Sequence, residues 1–145
     1  MRTPEVLLVD DNPADTDLTR VVLARTGSPS HIHAVTDGVE AMAFLRREGK
    51  YANALLPDLV ILDLSLPKKD GRSVLSEVKA DPVLRKIPIA IFSTSEAQRD
   101  IVRSYELGAN CYVSKPGNLR DFSTAVTSIG EFWFGLARLP REEER

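Results

Sequence analysis

Short apolar runs of strand length alternate along the chain with longer segments of helical spacing. The apolar runs occupy residues 6–9, 32–35, 59–62, 89–92 and 111–113. The helical segments follow Pro13, Gly38 and Gly71, then include Ile101, and finally run from near Asn118 to about Leu139. Five strand-and-helix units in strict alternation predict an α/β fold, a doubly wound parallel sheet with helices on both faces. The runs at 6–9 and 59–62 are apolar throughout, as expected of strands covered on both faces.

Polar side chains follow four of the five predicted strands. They are Asp10 and Asp11 after the first strand, Asp63 after the third, Ser93 and Thr94 after the fourth, and Ser114 and Lys115 after the fifth, where Pro116 follows them. Ligands of open parallel sheets bind at the carboxyl ends of the strands, so we expect these side chains to meet at one edge. Each has a plainer interpretation alone, because Asp10-Asp11-Asn12-Pro13 is also typical of a helix N-cap and Asp63 of a turn.

Three carboxylates brought together repel one another, and a divalent cation with oxygen ligands relieves that repulsion. Mg²⁺ typically binds one or two carboxylates together with water and phosphate oxygens. Lys115 would add a fixed positive charge beside the carboxylates. A carboxylate nucleophile surrounded by a metal ion, an ammonium group and a hydroxyl donor is the arrangement that aspartyl-phosphate chemistry needs. This interpretation requires the strand ends to converge as predicted.

Composition narrows the class of protein without deciding its function. The chain has 145 residues, 19 basic and 21 acidic, and a net charge of -2, which argues against nucleic-acid binding through bulk charge. A single cysteine, Cys111, allows no internal disulfide and no thiolate metal site, so a reducing, cytoplasmic location is expected. No signal peptide or run long enough to span a membrane is visible, and no membrane partner is expected.

The strand-end residues resemble the motifs of the receiver domain of two-component response regulators. The matching pieces are Asp10-Asp11, then Asp63 followed by Pro67 and Asp70-Gly71, then Ser93, and finally Lys115-Pro116. The resemblance covers residues 5 to about 138. It implies the flavodoxin-like (βα)5 receiver fold, with residues 1–140 as the receiver domain and residues 141–145 as a charged, disordered tail.

The resemblance also implies a role for each residue. Asp63 would be the phosphoacceptor, Asp11 a direct Mg²⁺ ligand, and Asp10 a ligand through water, while the backbone carbonyl of Ser65 would complete the metal site. Ser93 and Lys115 would bind the phosphoryl oxygens, and Tyr112 would be the aromatic switch residue. Thr94 stands where many receivers have alanine and would narrow access to Asp63. A cis Lys115–Pro116 bond and a positive φ at Gly71 are expected as well.

The implied activity is acceptance of a phosphoryl group from a histidine kinase, with only slow self-dephosphorylation and no further enzyme activity. We expect a standalone receiver, because few residues follow the fifth helix. The Asp-Asn-Pro-Ala-Asp start and the pair Phe132-Trp133 resemble the subgroup that is paired with phytochrome-type histidine kinases. Members of that subgroup form homodimers through an extended fifth helix.

The fifth helical segment is unusually apolar. At 100° per residue a single stripe holds Phe122, Ala125, Val126, Ile129, Phe132, Trp133, Leu136 and Leu139. Phe134 falls outside this stripe. Either the stripe is core and Phe134 a stray exposed residue, or the segment extends past the sheet and dimerises through Phe132, Trp133, Phe134, Leu136 and Leu139.

Three other functions share parts of this pattern. A hydrolase with an aspartate nucleophile usually has a second aspartate two residues later, where this chain has Ser65. A flavodoxin-like electron carrier would need a phosphate loop after the first strand, and the acidic Asp10 and Asp11 would repel a flavin phosphate. A protein-binding module that acts without phosphorylation would not require Asp63, Asp11 and Lys115 together.

Overall fold

The computed structural model describes residues 3–26 and 30–140, and it confirms the predicted alternation of strands and helices. The strands are β1 (Glu5–Val9), β2 (His31–Val35), β3 (Leu59–Leu62), β4 (Ile89–Ser93) and β5 (Cys111–Ser114). The helices are α1 (Pro13–Ala24), α2 (Gly38–Leu45), α3 (Gly71–Ala80), α4 (Gln98–Glu106) and α5 (Leu119–Gly130). The predicted tail at 141–145 lies outside the described residues.

All five strands are parallel and lie in the order β2-β1-β3-β4-β5. The second strand, β2, therefore lies on one side of β1. The strands β3, β4 and β5 follow in turn on its other side. The helices that follow β1 and β3 lie on opposite faces of the sheet. In sheets of this kind, ligands bind at the carboxyl ends of the two strands where the order reverses in this way. This reversal point is where Asp10 and Asp63 leave the sheet.

The sheet separates two apolar layers, because successive side chains of a strand point to opposite faces. In β1, Val6 and Leu8 pack in one layer and Leu7 and Val9 in the other. The first layer also holds buried residues of α1 and α5, and the second those of α2 and α3. Burial on both faces explains why β1 and β3 read as continuous apolar runs.

Asparagine rather than aspartate caps the first helix. The side chain of Asn12 accepts a hydrogen bond from the backbone N–H of Asp15 at 3.1 Å, and Pro13 occupies the first helical position. Asp10 and Asp11 are thus not needed as caps. This removes the plainer interpretation of the acidic pair and leaves both carboxylates for other chemistry.

The C-terminal helix is present but differs from the predicted one. Helix α5 continues into a π-helical segment, Glu131–Leu136, and the chain is extended at Ala137. The expectation of a helix running to about Leu139 was wrong. In the π segment the N–H of Ala137 bonds the carbonyl of Phe132 at 2.7 Å, five residues back, and this wider turn rotates the following side chains less than 100° per residue.

The changed rotation also changes which aromatic rings are exposed. Phe134 packs half-buried against the layer formed by α1 and α5, as does Trp133. Phe132, placed in the core stripe by the α-helical plot, is 48% exposed, and Leu136 is 77% exposed. The predicted stripe is therefore correct up to Ile129; beyond it, Trp133 packs against the core as predicted, whereas Phe132 and Leu136 are exposed. No helix among the described residues is long and apolar enough to cross a membrane.

Candidate functional site

Three carboxylates meet at the carboxyl ends of β1 and β3. Asp10 and Asp63 are buried and Asp11 is exposed, and one carboxylate oxygen of each lies within 4.8 Å of the others. Asp10 is held in place by the backbone N–H of Asn12, which donates to its Oδ1 at 2.9 Å. The N–H of Ser65 donates to Oδ1 of Asp63 at 3.2 Å. The structure therefore brings together the acidic residues that were predicted from separate strand ends.

The buried ammonium group of Lys115 connects these carboxylates. Its Nζ donates to Oδ2 of Asp10 at 2.7 Å, to Oδ2 of Asp63 at 2.9 Å and to Oδ2 of Asp15 at 3.0 Å. An ammonium group has three N–H donors, so each carboxylate takes one of them. The same Nζ lies 5.9 Å from the centre of the Phe92 ring. Lys115 is thus fixed at the centre of the site with all its donors used.

Burial and neighbouring charges shift the pKa values of these groups in opposite directions. Burial raises the pKa of Asp10 above its usual range, although the hydrogen bond from Lys115 lowers it. Burial alone would lower the pKa of Lys115, but the hydrogen bonds to Asp10, Asp63 and Asp15 outweigh it and raise that pKa. The ammonium group therefore stays charged near neutral pH. With three carboxylates on one ammonium group and Asp11 close to two of them, the site has an excess of negative charge.

The donor set fits a hard divalent cation. Asp10, Asp11 and Asp63 offer oxygen ligands only, and only one of these three side chains is well exposed. Lys115 neutralises a single negative charge, so further positive charge would relieve the remaining repulsion. These carboxylates would hold the ion, and a hard cation there supplies charge stabilisation for a transferring phosphoryl group.

The loop after β3 approaches the site closely. A Cβ added at Gly71 would lie 2.3 Å from the backbone oxygen of Asp63 and 2.7 Å from the Cα of Leu64, so only glycine fits without a backbone shift. The expected positive φ is not found at Gly71; it occurs at Lys68, with φ 67°. Glycine is required here for close packing and not for an unusual backbone angle.

Ser93 is fully buried, and its hydroxyl has no hydrogen-bond partner among the described residues. A buried hydroxyl without a partner is costly, and it offers a free donor to an incoming oxygen. Its neighbour Thr94 is exposed, outside the buried part of the site. The orphaned donor lies at the carboxyl end of β4, beside the strand that carries Asp63.

We expect Ser93→Ala to have opposite effects on the free and the ligand-bound protein. Removing the orphaned hydroxyl should raise the thermal midpoint of the free protein slightly. The variant should still bind beryllofluoride, a phosphate mimic, but more weakly, because a hydrogen bond to a charged group contributes roughly 1.5–3 kcal/mol. Calorimetry and ¹⁹F NMR would measure both.

Ser104→Ala is the control, because the equally buried Ser104 hydroxyl donates to the carbonyl of Asp100 at 2.7 Å. A Ser93→Ala variant that binds the mimic like the wild type would contradict the assigned role.

The remaining predicted residues flank the site. Tyr112 is half-buried on β5, and its hydroxyl donates to the carbonyl of Ser95 at 2.9 Å. Pro116 is half-buried, and the Lys115–Pro116 bond is trans, so the expected cis bond is not found. The intrinsic preference between the two isomers of an X–Pro bond is only about 0.5–1 kcal/mol, so sequence alone does not settle it.

Sequence reasoning missed Asp15 as a member of the site. It was noted only as part of the Asp-Asn-Pro-Ala-Asp start, where an acidic residue in the first turn of a helix is unremarkable. The available signal was its position five residues after Asp10, in the first turn of the helix that follows β1. The bond to Lys115 depends on how α1 lies against the sheet.

Comparison with known proteins places the chain in a family. The model of the response regulator receiver domain matches residues 6–127. Response regulator Rcp1 of Synechocystis sp. is 44% identical over 93% of this chain and 92% of its own length. The crystal structure of the phosphorylated cyanobacterial phytochrome response regulator RcpA is 49% identical, with a TM-score of 0.93 over 97% of this chain and 100% of that chain. The Mn²⁺-bound form of Rcp1 is 43% identical, with a TM-score of 0.92 over 95% of this chain and 99% of that chain. The chain belongs to the response regulator receiver domain family.

Proposed function

We propose that Asp63 accepts a phosphoryl group from a phytochrome-type histidine kinase in a Mg²⁺-dependent reaction. The observation that carries the proposal is the Lys115 ammonium group, which bridges Asp10 and Asp63 at 2.7 and 2.9 Å beside the exposed carboxylate of Asp11. The kinase class follows from the similarity to RcpA, which is described as a cyanobacterial phytochrome response regulator. The cytoplasm is the compartment expected for this exchange.

Each residue of the candidate site has a separate role in the proposed phosphoryl transfer. The Asp63 carboxylate is the nucleophile: an O–P bond to Asp63 forms as the N–P bond of the kinase phosphohistidine breaks, and the imidazole leaves with the electron pair. The hydrogen bond from the Ser65 N–H orients the carboxylate. Lys115 pairs with an equatorial phosphoryl oxygen, and the free Ser93 hydroxyl donates to another. Asp10, Asp11, Asp63 and the Ser65 carbonyl would hold Mg²⁺, which would supply charge neutralisation at the transferred group. The acceptor does not turn over a substrate, and we class it as a non-enzyme.

The proposed readout of phosphorylation is the β4–α4 loop. Ser93 would move toward the phosphoryl oxygen, and the chain that follows it would move as well. The carbonyl of Ser95, which now accepts the Tyr112 hydroxyl, belongs to that loop. Ser95 Oγ also donates to Asp100 at 2.5 Å, so a shift of the loop would reach α4. The result would be a population shift on the face formed by α4 and β5.

We also propose a homodimer through the C-terminal helix. Phe132 and Leu136 are exposed on the π segment, four residues apart, while Trp133, Phe134 and Leu139 are half-buried and would border them. A two-fold arrangement of the same patch is the commonest way for identical chains to bury such a surface. Of the five residues expected at the interface, the exposed Phe132 and Leu136 thus form the proposed centre.

The test of the kinase class is phosphotransfer from two purified, autophosphorylated kinases, one of the phytochrome type and one with an unrelated sensor. We expect the phytochrome-type kinase to label this chain within seconds to minutes and the other kinase to label it far more slowly. EDTA should abolish the transfer. Equal labelling by both kinases would contradict the phytochrome assignment while leaving the receiver function intact.

A further inference from the structure

Within the part of the chain that the structure describes, Asp15 is the one carboxylate on Lys115 that does not belong to the candidate metal cluster. It lies in the first turn of α1, where its backbone N–H donates to the Asn12 cap at 3.1 Å. Its side chain is 25% exposed and reaches Lys115 at 3.0 Å. The cluster whose ligand atoms approach within 4.8 Å contains Asp10, Asp11 and Asp63 only. Asp15 therefore contacts the ammonium group without belonging to the candidate metal cluster.

The donors of Lys115 are fully used in this arrangement. Asp10, Asp63 and Asp15 each accept one N–H, and an ammonium group has no fourth. A phosphoryl oxygen that pairs with Lys115 must replace one of these three acceptors. Asp63 is itself converted by phosphorylation, and of the two carboxylates that remain, Asp15 is the more replaceable, because its side chain is more exposed than that of Asp10 and its bond is longer.

We propose that Asp15 is a positioning residue that holds Lys115 in the unphosphorylated site and competes with the phosphoryl group for its ammonium. The proposal rests on the function proposed for Asp63. The negative charge of Asp15 has opposite consequences for the two ligands of the site. It attracts the metal cation, and it repels the phosphoryl anion while occupying the N–H that the anion needs.

Because Asp15 is expected to favour the cation and to disfavour the anion, one substitution should change the two affinities in opposite directions. Asp15→Asn removes one charge with little change of shape. Interactions between partly exposed charges are weakened by solvent screening, and a single charge of this kind usually changes an affinity by less than about tenfold. We therefore expect Mg²⁺ to bind roughly threefold to tenfold more weakly, and beryllofluoride at saturating Mg²⁺ to bind more tightly by a similar factor.

The measurements are calorimetry for Mg²⁺ on the unphosphorylated protein and ¹⁹F NMR for beryllofluoride. Asp17→Asn is the matched control, since it removes the same charge from an exposed position two residues along α1 and should change either constant by less than about twofold. Asp15→Glu keeps the charge and should return Mg²⁺ binding toward the wild-type value. Circular dichroism would verify that each variant is folded.

Two outcomes would overturn the inference. If Asp15→Asn weakens the binding of both Mg²⁺ and beryllofluoride, Asp15 only supports the structure. If it changes neither affinity, the contact between Asp15 and Lys115 has no role in function. Failure of the wild type to bind beryllofluoride would instead contradict the function proposed for Asp63. The two failures are therefore distinguishable in one set of titrations.

Discussion

Asp63→Asn is expected to abolish phosphorylation of this chain by its kinase. The amide oxygen of asparagine is a poor nucleophile and carries no charge for Lys115, whose Nζ lies 2.9 Å from Oδ2 of Asp63. Phosphate-affinity electrophoresis after incubation with the labelled kinase should show the wild type shifted and the variant unshifted. The label on the wild type should be lost in alkali, as an acyl phosphate is.

Asp70→Asn is the matched control for this experiment. Asp70 lies in the same loop and caps α3, accepting from the N–H of Ser73 at 3.0 Å, and asparagine caps helices about as well as aspartate. It should be labelled like the wild type. Label retained on Asp63→Asn would place the acceptor elsewhere. Repeated turnover of a small phosphoester by the wild type would favour the hydrolase alternative.

The second large effect is expected on assembly. We expect the unphosphorylated wild type to sediment as a dimer at tens of micromolar, and the double variant Phe132→Asp with Leu136→Asp to sediment as a monomer. Full burial of each of these side chains contributes up to about 1.5–3 kcal/mol, and a buried, unpaired carboxylate reverses that gain. Analytical ultracentrifugation over a range of concentrations measures the change.

Val39→Asp is the control for the introduction of a negative charge at an exposed position. Val39 is 51% exposed on α2, an exposure similar to that of Phe132, but it lies on another helix. This variant should remain dimeric. A monomeric wild type over the same concentration range would refute the dimer and leave Phe132 and Leu136 as solvent-exposed side chains.

The sequence determined the layered fold and most of the candidate site. Continuous apolar runs can be strands only if both faces are covered, and alternation with helical segments leaves few arrangements besides a doubly wound parallel sheet. In such a sheet the strand ends share one edge, so the convergence of Asp10, Asp63 and Lys115 follows from order along the chain. The positions of Asp11 and Ser93 follow in the same way.

Tertiary structure alone decided the details that depend on how helices lie on the sheet. Asp15 reaches Lys115 because of the position of α1, which local sequence does not encode. Phe134 packs inward and Phe132 faces outward because the chain after Gly130 forms bonds five residues apart. A hydrophobic plot assumes 3.6 residues per turn, whereas packing of the final aromatic rings against the core selects the wider turn.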